Sequence, residues 1–426
     1  MSSRVFSPSI LCWSLFGLLF LSGGALFPVN AAEPKRSALA PAPEWSTLER
    51  FQESITRKEF VHLLESVYAP DGAWKTVVDL DEKGATLHAP GSNRPDFRLR
   101  FASDRASARP VPRYWKAAAE PKRGKPLAGL TIAIDPGHIG GKWAQMEERW
   151  FRIGRSKPVM EGEMVLVVAK HLARQLGAMG AKVVHVRRRT APVTRVRPSQ
   201  LRGLALAELK RQGTSPIRRG YDGPNDPQKY RSIEWTSELL FYRTSEIRAR
   251  AIVVNERLQP DLTICLHFNA ESWGNPDRPE LTDKNHLHLL VNGNYAASEL
   301  ALEDVRYDLF VKLLNRSAEV ELPLSDSVAR SLARATGLPP YVYHDRGRRV
   351  TPSEYVWARN LLANRLYHCP VVYCEPYVMN SRPVFERARL GDYNGTRLIH
   401  GVPRQSIFRE YAAGVAQGVV DYFGKR

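Results

Sequence analysis

Apolar positions recur along this chain at two spacings. Over 47–67, Leu48, Phe51, Ile55, Phe60, Leu63 and Leu64 fall at helical intervals, and the pattern predicts one helix there. Short strand-like pieces follow at Trp74–Val78, Ala85–Leu87 and Phe97–Phe101. Residues 45–115 thus read as a small α+β module of unassigned role. From Leu127 strands and helices alternate. Leu130–Asp135 is an apolar strand, and Val165, Leu166, Ala169, Leu172, Ala173 and Leu176 form a helical stripe that Gly177 and Gly180 end. Ala181–Val186 is the next strand; Ile247, Ala251, Val254 and Leu258 make another stripe. Strands at Leu262–His267, His288–Val291 and Pro370–Cys374 follow, with helices near 325–336 and 404–423. This alternation predicts an α/β fold: a mostly parallel open sheet with helices on both faces, plus the small N-terminal α+β module.

Two segments interrupt the alternation, near 190–243 and 339–365, both rich in Arg, Pro and Gly. The expected catalytic domain, 127–426, carries them as insertions. Pro- and Lys-rich sequence over 110–126 separates it from the module. At the other end, Arg4 is followed by the uncharged apolar run Ile10–Leu21, too short to span a bilayer, and then by the small residues around Val29-Asn30-Ala31. We read 1–31 as a secretory signal peptide and 32–44 as an Ala/Pro-rich linker. The protein is expected to be exported, periplasmic or secreted, with no stable membrane insertion after signal cleavage, since no later stretch is long and apolar enough to span.

The 426 residues allow two or three domains, and 43% hydrophobic with 25% charged residues exclude a disordered or collagenous chain. A net charge of +18 points to anionic material without saying which. Cys12 leaves with the signal, so Cys265, Cys369 and Cys374 remain, too few for a disulfide framework. In a strand, Cys369 and Cys374 are separated by ~16 Å, which no disulfide bridges. Free buried thiols are expected.

Four residues share one placement. His138 lies just past a strand in Asp135-Pro-Gly-His-Ile-Gly-Gly141, His267 ends the strand from Leu262, Glu375 follows Pro370–Cys374, and Glu161 opens the helix after the first strand. In an open parallel sheet the strand C-termini line one edge, where ligands bind. Two His and a carboxylate there can hold a catalytic zinc with one position left for water, and a second carboxylate can move its proton. Taken singly, each has a blander role. A strand-end His is commonly a satisfied polar residue, Glu161 complements a helix N-terminus, and Glu375 can pair with an arginine. No HExxH helix is present.

The motifs Ile134-Asp-Pro-Gly-His138, Glu161 with Leu166, Arg250 and Asn255, Leu266-His-Phe-Asn-Ala270 and Val372-Tyr-Cys-Glu-Pro376 resemble the zinc-dependent N-acetylmuramoyl-L-alanine amidases of the Amidase_3 type over about 127–423. The resemblance implies that His138, Glu161 and His267 ligate Zn2+ and that Glu375 is the catalytic general base and proton donor. It implies hydrolysis of the amide between N-acetylmuramic acid and L-alanine of peptidoglycan. Three departures stand out. Glu161-Gly-Glu163 replaces the usual Glu-Lys pair, leaving Glu163 as a rival ligand. The His138–Glu161 stretch is long and carries Trp143, Trp150 and Phe151. The two insertions have no family counterpart.

Asn269 either orients a ligand or caps a turn. Arg187, Arg188, Arg189, Arg195, Arg197, Arg346, Arg348 and Arg349 form either a solvated surface or an attractor for anionic wall polymers. His185, His286 and His288 read as packing or surface residues. Peptidoglycan is the expected partner. The alternative is a non-catalytic cell-wall-binding module on the same fold. Nucleic acid is not expected, because no basic recognition helix is recognisable.

Overall fold

The apolar spacing over 47–67 folds as two pieces. A tight helical stretch, Trp45–Phe51, stops at Gln52, and α1 (Arg57–Leu63) starts afresh from Thr56. Thr56 and Glu59 form a reciprocal cap: the Thr56 hydroxyl accepts the Glu59 N–H at 3.2 Å, and the Glu59 carboxylate accepts the Thr56 N–H at 3.1 Å. That Thr-x-x-Glu spacing is a start signal in the middle of an otherwise continuous apolar stripe. The strand expected at 74–78 begins late, because Ala73–Thr76 form a helical turn. An antiparallel sheet follows: β1 (Val78–Leu80), β2 (Gly84–Leu87) and β3 (Phe97–Arg100).

The computed structural model describes residues 35–89, 96–112, 124–275, 278–344 and 347–424. The signal peptide expected over 1–31, the start of the linker and Arg346 lie outside the described residues. The chain continues with β4 (Thr131–Pro136), the short hairpin β5 (Trp150–Phe151) and β6 (Val159–Met160), α2 (Glu161–Ala178) and β7 (Lys182–His185). The first insertion is helical: α3 (Arg202–Arg211) and α4 (Ile233–Leu239), the latter running through a widened turn at Leu240–Ser245 into α5 (Glu246–Ile252). Then come β8 (Leu262–Leu266), β9 (Leu287–Val291), α6 (Ala297–Leu300), α7 (Glu303–Leu314) and α8 (Ala318–Thr336). The second insertion supplies β10 (Arg348–Arg349), β11 (Val356–Ala358) and α9 (Leu362–Leu366). Last are β12 (Val371–Pro376), α10 (Arg382–Arg389), the hairpin β13 (Thr396–Ile399) and β14 (Val402–Gln405), and α11 (Ile407–Phe423).

Seven strands form the main sheet in the order β10-β11-β9-β12-β8-β4-β7. β12, β8, β4 and β7 run parallel, while β9 runs antiparallel to β12. The central parallel strands β4 and β8 are buried and almost wholly apolar, as strands covered on both faces must be, whereas the edge strand β7 is partly exposed. On one face Ile132, Ile134, Leu262 and Ile264 pack among residues of α2, α8 and α11. On the other, Cys265, Val371 and Tyr373 pack with Val254, Ala363 and Tyr367. Cys265, Cys369 and Cys374 are free and buried, as their spacing predicts.

The N-terminal module does not bury its apolar side alone. Phe51, Phe60, Leu64 and Leu99 share one cluster with Leu309, Phe310 and Leu313 of α7. No helix among the described residues is long and apolar enough to cross a membrane.

Candidate metal centre

Where β4, β8 and β12 end, three chain segments turn toward one point. Gly137 and His138 follow β4, His267 follows β8, and Glu375 is the next-to-last residue of β12. The antiparallel β9 brings its N-terminal end to the same edge, with His288 directly opposite Glu375. Register then puts Cys265, Tyr373 and Leu290 on one face of the sheet, and His267, Glu375 and His288 continue that face.

The His138 turn is held from beneath by two buried arginines. Arg187 donates to the carbonyls of Pro136 (2.8 Å), Gly137 (2.6 Å) and Ile139 (3.3 Å). Arg250 donates to the carbonyls of Pro136 and His138, both at 2.9 Å, and is neutralised by Asp135 at 3.0 Å and Glu246 at 2.8 Å. Tyr367 donates to the other oxygen of Asp135. This support lets His138 hold a left-handed backbone, φ 50°, that a non-glycine residue adopts at a cost. It also corrects the expectation for Arg187: the residue is 4% exposed and serves the turn rather than a solvated or polymer-facing surface.

Gly137 is obligatory for another reason. A Cβ there would meet the His267 ring at 2.2–2.5 Å, so the imidazole occupies the space a side chain would need. The His267 ring stacks on Tyr373, centroids 4.6 Å apart.

His138 Nε2 lies 3.2 Å from Glu161 Oε2, and His267 Nδ1 lies 3.1 Å from Glu161 Oε1. One ligand-type atom from each of the three residues falls within 4.8 Å of the others. A tetrahedral cation with bonds of about 2.1 Å needs donors about 3.4 Å apart, so the cluster is near that size. Glu161 is 1% exposed; its Oε1 accepts the Phe268 N–H at 3.0 Å, but its Oε2 accepts no hydrogen bond. A buried carboxylate whose two oxygens each face an imidazole is the donor set zinc takes. The rival Glu163, two residues on, is exposed.

The electrostatics agree. Burial holds His138 well below its ordinary pKa, against the opposing pull of Glu161. Burial opposes ionisation of Glu161, yet His138, His267 and Arg149 outweigh it and bring the carboxyl down to about 2. Burial alone lowers His267, but its bond to Glu161 and the charge of Glu375 raise it. Glu375 is pushed up to about 7 by burial, with His267 opposing and Glu161 assisting. Two carboxylates at one sheet edge are therefore separated, one brought down to about 2 and one raised to about 7.

Three further residues escaped the sequence reading. Glu147 accepts the backbone N–H groups of Ile139 and Gly140 at 2.8–2.9 Å and faces His138 Nδ1 at 3.5 Å. Arg149 Nε lies 3.1 Å from Glu161 Oε2. Both sit in the long stretch between His138 and Glu161, whose length was the one available signal. Tyr343, from the second insertion, bonds His288 Nε2 at 3.0 Å beside Glu375. His286 and His288 themselves are buried, in line with a packing role. Asn269 turns its oxygen onto the Ala270 N–H at 2.7 Å, the turn-capping alternative.

No family model matches this chain. No curated protein matches it either. Among solved structures it is similar to the apo form of an N-acetylmuramyl-L-alanine amidase from Mycobacterium abscessus, at 16% identity over 69% of this chain and 99% of that one, with a TM-score of 0.34. It is also similar to an N-acetylmuramoyl-L-alanine amidase of Nostoc punctiforme, at 15% identity over 70% and 98%, TM-score 0.35. A third likeness is to the catalytic domain of such an amidase from Bacillus (Paenibacillus) polymyxa, at 14% identity over 70% and 99%, TM-score 0.36.

Proposed function

We propose that this protein is an exported zinc hydrolase that cleaves the amide between N-acetylmuramic acid and L-alanine of peptidoglycan stem peptides. One observation carries the reading: His138, Glu161 and His267 converge within 4.8 Å of one another at the strand edge that also holds Glu375, a carboxyl outside that trio which burial pushes up to about 7. His138, Glu161 and His267 are the residues that would hold the zinc. Bound there, zinc supplies a Lewis acid that polarises an amide carbonyl and acidifies water.

The rest of the chemistry belongs to the chain. Glu375, pushed up to about 7, takes the proton of the attacking water and returns it to the leaving amine of L-alanine. Glu161 stays ionised throughout because its neighbours hold its carboxyl at about 2. Arg187 and Arg250 keep the His138 turn rigid by capturing its carbonyls. Export rests on the apolar run Ile10–Leu21.

Metal analysis of the purified mature protein, paired with digestion of muropeptides, tests the reading. We expect one zinc per chain and release of stem peptide from muramic acid. Zinc without release would favour a wall-binding role; neither zinc nor release would remove the proposal.

A further inference from the structure

The first insertion is physically continuous with the candidate metal centre, and it reaches the centre through three consecutive residues. Leu201, Ala205, Leu240, Phe241 and Tyr242 share an apolar cluster with Ile139, the residue after His138, and Trp143 packs against it. The Trp143 and Phe241 rings are 5.2 Å apart. From the same insertion, Lys229 Nζ meets Glu148 Oε1 at 2.7 Å, and the Trp235 indole N–H donates to that oxygen at 3.1 Å. Glu148 sits at φ 53°, a strained backbone that needs outside support.

Its two neighbours point the other way. Glu147, 2% exposed, holds the amides of Ile139 and Gly140 and faces His138. Arg149 contacts Glu161 with its guanidinium and donates to the Glu148 carbonyl at 2.9 Å, which ties the turn to itself.

We propose that the arm spanning 190–245 is a working part of the metal centre: by latching Glu148 it fixes Glu147 under the His138 turn and Arg149 on Glu161, so that two ligands are set before a cation arrives. Glu147, Glu148, Lys229 and Trp235 are positioning residues; none touches the cation. This rests on the metal-centre reading above, but not on the identity of the reaction. Outer carboxylates that hold metal-bound imidazoles typically contribute about 10–100-fold to affinity.

The test measures Zn2+ affinity of the full chain by chelator competition, with Co2+ absorption as a report of ligand geometry. Glu147→Gln should weaken Zn2+ binding by about 10–100-fold, and Lys229→Met by about tenfold, each with an altered Co2+ spectrum. Lys229→Arg should restore most of the affinity. Trp235→Phe, which keeps an aromatic ring but loses the N–H donor and part of the indole's volume, should lie between Lys229→Met and the parent. Urea unfolding of the metal-free variants separates a loosened site from a chain that fails to fold. Wild-type affinity in both Glu147→Gln and Lys229→Met would overturn the proposal, as would a parent protein that binds no Zn2+. The expected affinity series in a protein that cleaves no muropeptide would uphold the arm and dismiss the reaction.

Discussion

The N-terminal module and the ligand edge of the main sheet both bury polar atoms, and they treat them differently. In the module the orphaned buried atoms include the Tyr68 hydroxyl and the Trp74 indole N–H, both neutral. At the sheet edge they include Glu161 Oε2 and ring nitrogens of His286 and His288. A neutral orphan costs about 1–3 kcal/mol, whereas a buried charge needs strong compensation. The module is thus built for cohesion with α7. The edge gathers ionisable groups whose hydrogen bonding the fold leaves incomplete, and its buried carboxylate is ringed by Arg149 and two imidazoles rather than by apolar side chains.

Breaking the comparison at the edge should give the largest effect. Glu375→Gln is expected to lower kcat on muropeptides about a thousandfold while zinc content stays at the parent level. Its thermal midpoint should not fall, because the change removes a carboxyl that burial penalises. Full turnover in this variant would show that proton transfer lies elsewhere.

The converse change is in the module. Phe60 is fully buried between the Phe101 and Phe310 rings, at centroid distances of 5.4 and 6.4 Å. Phe60→Ala should cost about 3–4 kcal/mol in urea unfolding. Zinc affinity of the folded fraction should stay unchanged. A parallel loss of zinc affinity would show that the two regions are coupled.

The smallest effect is electrostatic. Burial opposes ionisation of Glu59, but the Thr56 amide and Arg316 bring its carboxyl from 4.5 down to about 2. A folded-state value below the unfolded one stabilises the protein fully above about pH 4.5, and the gain disappears as pH falls through about 2. Glu59 is 20% exposed, so screening keeps the gain modest, of order 1 kcal/mol. Glu59→Gln should therefore be less stable than the parent at pH 7 and indistinguishable from it near pH 2. A difference that persists at pH 2 would assign the effect to packing.

How much of this was readable beforehand follows from where each residue finds its partners. His138, His267 and Glu375 announce themselves because each ends an apolar strand, and parallel strands deliver their ends to one edge. Glu161 is marked by its place at the start of α2. The break in the helix at Thr56 was also readable, but an unbroken apolar stripe masked it.

Arg187 looked like one more surface cation because its partners are backbone carbonyls, which leave no trace in residue identity. The link from Lys229 to Glu148 joins positions 81 apart and exists only once α4 has packed on the His138 turn. The amino-acid order by itself determined the alternation, the strand ends and the donors they carry, since these depend on local spacing and side-chain chemistry. Only the tertiary structure decided which arginines are buried, which of two glutamates faces the imidazoles, and what the arm grips, because each is settled by packing between segments that share no local pattern.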